Sequence, residues 1–138
     1  MLKGIPSILS PDLLKTLMEM GHGDEIVLAD GNFPSASSNA RRLIRCDGHG
    51  IPELLKAILQ FLPLDAYVER PVALMKVVPG DPYEPKIWKE YETIIEVTKS
   101  FEYVERFAFY ERAKNAYAIV ATGEKELYAN IILKKGVI

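Results

Sequence analysis

Apolar residues recur at helical spacing in four stretches of this chain and run together, or nearly so, in six shorter ones. Leu13, Leu14, Leu17 and Met18 form a stripe behind Ser10-Pro11-Asp12. That tripeptide is a helix start: a Ser cap, Pro at the first helical position and an acid in the first turn. Gly21 stops the helix. Ile26-Val27-Leu28-Ala29 is a continuous apolar run suited to a buried strand, and the small polar residues 31–39 read as a loop. Residues 43–46 form a second short strand, and Asp47-Gly48-His49-Gly50 a turn. Ile51-Pro52-Glu53 then opens a helix whose Leu54, Leu55, Ile58, Leu59 and Leu62 make a wide apolar face. The clearest strand is 72–78, broken by Pro79-Gly80-Asp81-Pro82. A helix over 86–99 presents Ile87, Tyr91, Ile94 and Ile95; 101–105 is extended, and 106–113 reads as a short amphipathic helix. Two strands, 118–121 and 128–133, close the chain.

Strands alternating with helices predict an α/β layer architecture with a mixed, mostly parallel sheet. The short link Thr122-Gly123-Glu124-Lys125-Glu126 suggests that the last two strands are antiparallel neighbours. Residues 1–138 read as one domain, with 49% hydrophobic residues to fill its core.

A net charge of −2 carries no electrostatic footprint for nucleic acid. No apolar run approaches a membrane span, and the start, Met1-Leu2-Lys3-Gly4-Ile5-Pro6, lacks the apolar segment of a signal peptide. The lone cysteine, Cys46, excludes an intrachain disulfide and a multi-cysteine zinc site. A reducing cytoplasm is the expected compartment. Two histidines without HExxH-type spacing give no support for a metal.

The most informative segment for chemistry is Met20-Gly21-His22-Gly23-Asp24-Glu25-Ile26-Val27-Leu28-Ala29-Asp30. Its glycines let an imidazole project from a tight helix-to-strand turn, and its apolar run ends in a carboxylate. Taken locally, this pattern is more often a glycine C-cap followed by a surface histidine. Four polar groups adjoin apolar strand segments: Asp30, Arg106 at the start of the late helix, and Tyr128 and Asn130, which alternation would place on one face of the last strand. A carboxylate, a guanidinium, a phenol and an amide suit sugar hydroxyls, which both donate and accept. Ser35-Ala36-Ser37-Ser38 lacks the glycines and lysine of a phosphate loop. His49 reads as a turn residue, and Cys46 as a packed thiol with no feature that would depress its pKa.

The chain from Leu2 to Val137 resembles the fucose mutarotase and ribose pyranase family, most closely its fucose branch. The resemblance is carried by Leu9-Ser10-Pro11, by Met20-Gly21-His22-Gly23-Asp24-Glu25-Ile26, by Asp30 with Phe33-Pro34, and by Arg106-Phe107-Ala108-Phe109-Tyr110-Glu111-Arg112-Ala113. Thr122-Gly123-Glu124, leading to Tyr128-Ala129-Asn130-Ile131-Ile132-Leu133-Lys134-Lys135-Gly136, completes it. It implies a three-layer α/β/α fold and a cofactor-independent exchange of the anomers of L-fucose. It implies His22 as proton donor, and Asp30, Arg106, Tyr128, Ala129 and Asn130 as sugar-binding positions. It also implies homo-oligomers, decameric rings among the bacterial members, with sites near subunit boundaries. Some of the aromatic and aliphatic residues around 106–117 are then expected to be buried between subunits. One departure is Ala129, where the fucose branch often carries Gly; its methyl is expected to tighten the pocket.

Anomer exchange opens a pyranose to its aldehyde and recloses it. Opening needs a proton delivered to the ring oxygen, which His22 can supply, and one removed from the anomeric hydroxyl. For the second, Asp30, Tyr128 and water remain open. The competing readings are a ribose-type pyranose–furanose isomerase and a non-catalytic sugar-binding protein of an uptake system. A nucleotide-binding α/β module is disfavoured by the missing glycine loop.

Overall fold

A computed structural model describes residues 1–96 and 101–138. Helix α1 (Pro11–Glu19) starts where expected: Ser10 Oγ accepts the Leu13 N–H at 3.1 Å. Then follow β1 (Glu25–Ala29), β2 (Leu43–Cys46), α2 (Ile51–Leu59) and β3 (Val72–Met75). The chain continues through α3 (Ile87–Ile95), β4 (Glu102–Val104), α4 (Arg106–Asn115), β5 (Ala118–Thr122) and β6 (Ile131–Lys134). The strand at 72–78 is thus shorter than expected, and the last residues of the expected 86–99 helix lie outside the described residues. At the start of α2, Glu53 accepts the Gly50 N–H at 3.0 Å while Glu124 reaches across to accept that of Ile51 at 3.0 Å.

The six strands lie in the order β2-β5-β1-β6-β3-β4. The β2–β5, β5–β1 and β3–β4 pairs are parallel, and β6 alone runs against its neighbours β1 and β3. The expected pairing of the last two strands is therefore corrected: β1 lies between them. Residues 123–130 are no hairpin turn; they cross the end of β1 before the chain returns as β6.

Alternation along the strands separates two buried clusters. Ile26 and Leu28 of β1 face Leu13, Leu17, Leu54, Leu55 and Tyr91 of α1, α2 and α3. Val27 and Ala29 face Phe109 and Ala113 of α4. The sheet thus lies between helices on both faces, the expected α/β/α arrangement. Arg112 ties α4 to the sheet, donating to Glu25 at 2.6 Å and Glu102 at 2.8 Å.

Pairing registers decide where chemistry can gather. Ala29 is level with Ala121, Leu28 with Ile131, Leu74 with Ile131, and Met75 with Val104. The carboxyl ends of β1, β3, β4 and β5 therefore share one rim, which is where open α/β sheets bind ligands. Arg106, following β4, and the 123–130 crossing lie there too.

Candidate active site

On that rim Asp30, Arg106, Tyr128 and Asn130 line one cavity of about 250 Å³, together with Asn32, Phe33, Met75, Val78, Asp81, Tyr110 and Leu127. Asp30 follows directly from β1 and is only 5% exposed. Asn130 Oδ1 accepts the Asp30 N–H at 2.8 Å, so the Asn130 amide has its NH2 to offer a ligand. Asp30 Oδ1 accepts the Asn32 N–H at 2.9 Å. Burial pushes the Asp30 carboxyl above its ordinary range, against the opposing pull of the Asn32, Phe33 and Ala129 amides.

Tyr128 corrects the expectation of a longer final strand. Its φ of 56° lies in the left-handed region, which no strand accommodates. Its carbonyl accepts Trp88 Nε1–H at 2.8 Å, and that of Ala129 accepts Tyr91 Oη–H at 2.6 Å. These carbonyls thus turn to α3, and β6 begins only at Ile131. Tyr128 and Asn130 reach one cavity from a turn, not from alternation on a strand. Ala129 differs from its expected role in another way. It is fully buried within the cluster of α1, α2 and α3, and its methyl does not line the cavity. Its amide, facing Asp30, is what it offers the site.

Arg106 stands on the exposed first turn of α4, where Glu105 caps the helix by accepting the N–H groups of Phe107 and Ala108 at 3.0 and 3.2 Å. Its Nε donates to Tyr110 Oη at 3.0 Å, one turn along the same helix face. The guanidinium is thereby steered over the cavity mouth.

His22 is not in this group. It precedes β1 whereas Asp30 follows it, so the length of the strand separates them, roughly 16 Å at about 3.3 Å per residue. Its turn is pinned at the opposite rim: Gly23, with φ 86°, donates its N–H to the Lys135 carbonyl at 2.8 Å. The carboxylate beside His22 is Asp65, whose Oδ1 lies 3.1 Å from His22 Nε2. Asp65 is 4% exposed at its side chain and His22 45%. Asp65 Oδ1 also accepts the Tyr67 N–H at 3.0 Å, and this bond, then that to His22, holds its carboxyl below the usual range. Gly136 makes this packing possible, since a Cβ there would lie 2.6 Å from the Leu64 carbonyl oxygen. The Tyr67 ring, 5.4 Å from the imidazole, completes the His22 surroundings.

The remaining candidates lie elsewhere. His49 Nδ1 is 3.2 Å from Glu53 in the turn before α2. Cys46 is buried, which raises its thiol pKa. Ser35 is buried beside Asp30 in a neighbouring cavity. Among the described residues no group of three or more His, Cys, Asp or Glu could hold a metal ion. Nor is any described helix long and apolar enough to cross a membrane.

Sequence reasoning missed Asp65, Tyr110 and Asp81. Tyr110 had a usable signal, the i,i+4 spacing from Arg106. Asp65 is 43 residues from His22 and had none.

Comparison with known proteins places this architecture among proteins named for fucose chemistry. The human (Homo sapiens) fucose mutarotase is 54% identical over 145 residues, covering 99% of this chain and 94% of its own. The crystal structure of the fucose mutarotase from Streptococcus pneumoniae in complex with L-fucose is 63% identical, covers 99% of both chains and matches with a TM-score of 0.95. Bacillus subtilis RbsD complexed with D-ribose is more distant, at 25% identity and a TM-score of 0.76 over 100% of this chain and 99% of its own. A family model matches residues 3–138, and the chain belongs to that family, the RbsD / FucU transport protein family.

Proposed function

We propose that this protein is an L-fucose mutarotase, exchanging the α and β anomers by acid–base assisted ring opening and closing. The observation that carries this reading is the polar cavity of Asp30, Arg106, Tyr128 and Asn130, in a chain 63% identical to a mutarotase crystallised with L-fucose. Arg106 and the Asn130 amide donate to sugar hydroxyls, Asp30 accepts from them, and Phe33, Met75 and Leu127 give the cavity apolar surface.

His22 is the proton donor. Asp65 accepts from Nε2–H and orients the ring, and in the imidazolium form Nδ1–H is left to deliver its proton to the ring oxygen of the sugar. Within one chain His22 cannot reach the cavity, so the reading requires the His22 of one copy to complete the cavity of another. An outward imidazole beside Tyr67, 78% exposed, and Phe107, 66% exposed on the helix that carries Arg106, fit surfaces that meet between copies. The working form is a closed homo-oligomer in the cytoplasm, a decamer by family resemblance.

Saturation-transfer NMR on the anomeric protons tests the activity. Catalytic amounts of protein are expected to speed exchange of L-fucose, and to do so more than for D-ribose. Exchange of L-fucose unchanged from buffer alone would overturn the reading.

A further inference from the structure

Asp81 lines the cavity, yet the reading above gives it no part. It stands in the segment that leaves β3, on a turn that Gly80 makes with φ 90°. The turn is self-supporting: the Asp81 N–H donates to the Val78 carbonyl at 3.0 Å, and Asp81 Oδ1 accepts the Tyr83 N–H at 2.9 Å. This leaves Oδ2 directed at Tyr128, whose Oη–H it accepts at 2.6 Å. The Val78 N–H approaches the same phenol oxygen at 3.4 Å. The Tyr83 ring lies 6.0 Å from that of Tyr128. One short segment therefore holds the phenol by a carboxylate, an amide and an aromatic ring.

This changes what Tyr128 can do. A phenol has one hydrogen and can donate or accept as its O–H rotates. Here the hydrogen is committed to a carboxylate, a charge-assisted bond stronger than a sugar hydroxyl could replace. The shared proton holds the Asp81 carboxyl below its ordinary range and the Tyr128 phenol above its own. Toward the cavity the phenol offers no hydrogen, only the accepting capacity that the Val78 N–H leaves free. That matters because Asp30 already receives backbone amides and has less accepting capacity left. Arg106 and the Asn130 NH2 supply donors, so an acceptor-only Tyr128 balances the pattern that a polyhydroxylated ring must meet.

Resting on the mutarotase reading, we propose that Asp81 is a positioning residue for sugar recognition: by binding the phenol hydrogen it fixes Tyr128 as the acceptor of a sugar hydroxyl. The side chain is exposed and packs into no core, so its replacement leaves the fold intact.

The test is a double-mutant cycle on L-fucose exchange with Asp81→Asn, Tyr128→Phe and the double variant. Asp81→Asn alone is expected to lower kcat/KM by about tenfold to a hundredfold, as for loss of a charge-assisted bond. In the Tyr128→Phe background the same change is expected to cost no more than about twofold, because its route of action is gone. A merely structural role would cost the same in both backgrounds, and that result overturns the proposal. So does an Asp81→Asn variant as active as wild type. A carbon-13 titration of the Tyr128 ring gives a sugar-free reading: its phenol is expected to ionise at lower pH in Asp81→Asn, and an unmoved titration overturns the coupling. If the wild type does not speed L-fucose exchange, the mutarotase reading fails and this inference falls with it. If the wild type is active, the variants judge Asp81 alone.

Discussion

The two rims of the sheet are built on opposite principles. At the carboxyl-end rim, Asp30 is buried, Asn130 is oriented by the Asp30 backbone and Tyr128 is held at a left-handed φ. Everything there is pinned and points into a cavity. At the other rim, the His22 imidazole is held from behind by Asp65 and flanked by Tyr67, with its ring half in solvent. A binding site needs convergent groups fixed in advance, whereas a proton donor serving another chain needs to project. Under the proposed function, the contrast would separate recognition from proton transfer within one chain and make association of copies a condition of catalysis.

The largest effect is expected where the contrast is sharpest. His22→Ala removes the proposed acid, worth on the order of 10²–10⁴ in rate, while leaving the cavity of the same chain untouched. Saturation-transfer NMR should show exchange near the buffer rate, and calorimetry should show L-fucose still bound. Wild-type exchange in a folded His22→Ala protein would end the assignment. Asn130→Ala and Asp30→Ala act on the other rim, and should weaken L-fucose binding or exchange about tenfold to a hundredfold. Mixing inactive His22→Ala and Asn130→Ala subunits breaks or sharpens the comparison itself. Activity returning after subunit exchange means that the rims meet between copies. No return, with exchange of subunits proven, means that they do not.

Asp65 tests the weaker rim. Asp65→Asn keeps the shape but loses the charge that orients His22, and should lower exchange about tenfold. Because the folded Asp65 carboxyl is depressed below its ordinary 3.8, its stabilising contribution is present above that value and is lost as pH falls through the folded one. The gap in denaturation midpoint between wild type and variant should therefore close in strong acid. A gap that is independent of pH would mean that the Asp65 charge does not matter.

What sequence could reveal follows the range of the interactions involved. Ser10-Pro11-Asp12 and the run 26–29 are local signals, and both elements stand where local physics puts them. The last two strands failed because neighbour choice is a long-range matter: β1, some ninety residues earlier than β5, takes the place between them. Tyr128 failed because Trp88 and Tyr91, far along the chain, turn its backbone and that of Ala129 away from a ladder. Adjacency misled on His22. The same segment carries His22 and Asp30, yet an intervening strand extends them apart and leaves His22 with Asp65. Four of the cavity residues, Asp30, Arg106, Tyr128 and Asn130, could be named one by one, whereas Tyr110 and Asp81 were not. That the four meet without His22 could be learned only from the direction of β1.

The smallest effect tests whether the pinned rim carries a stability cost for its function. Burial raises the folded Asp30 carboxyl above the ordinary 3.8, so between that value and the folded one the native state holds a proton that the unfolded chain has released. Stability falls as pH rises through this window, and the ionised carboxylate above it suits the fold less well than the protonated group below it. Asp30→Asn removes the charge while its Oδ1 can still accept the Asn32 N–H. The thermal midpoint of this variant should exceed that of the wild type at pH 7, by a few degrees at most, and the advantage should vanish near pH 3, where both side chains are neutral. Exchange of L-fucose should fall in the same protein, since a neutral amide is a weaker acceptor than a carboxylate. A stabilised but impaired enzyme would show that Asp30 is held charged for the sugar and against the fold. A variant less stable than wild type at pH 7 would show that the amides around Asp30 outweigh its burial.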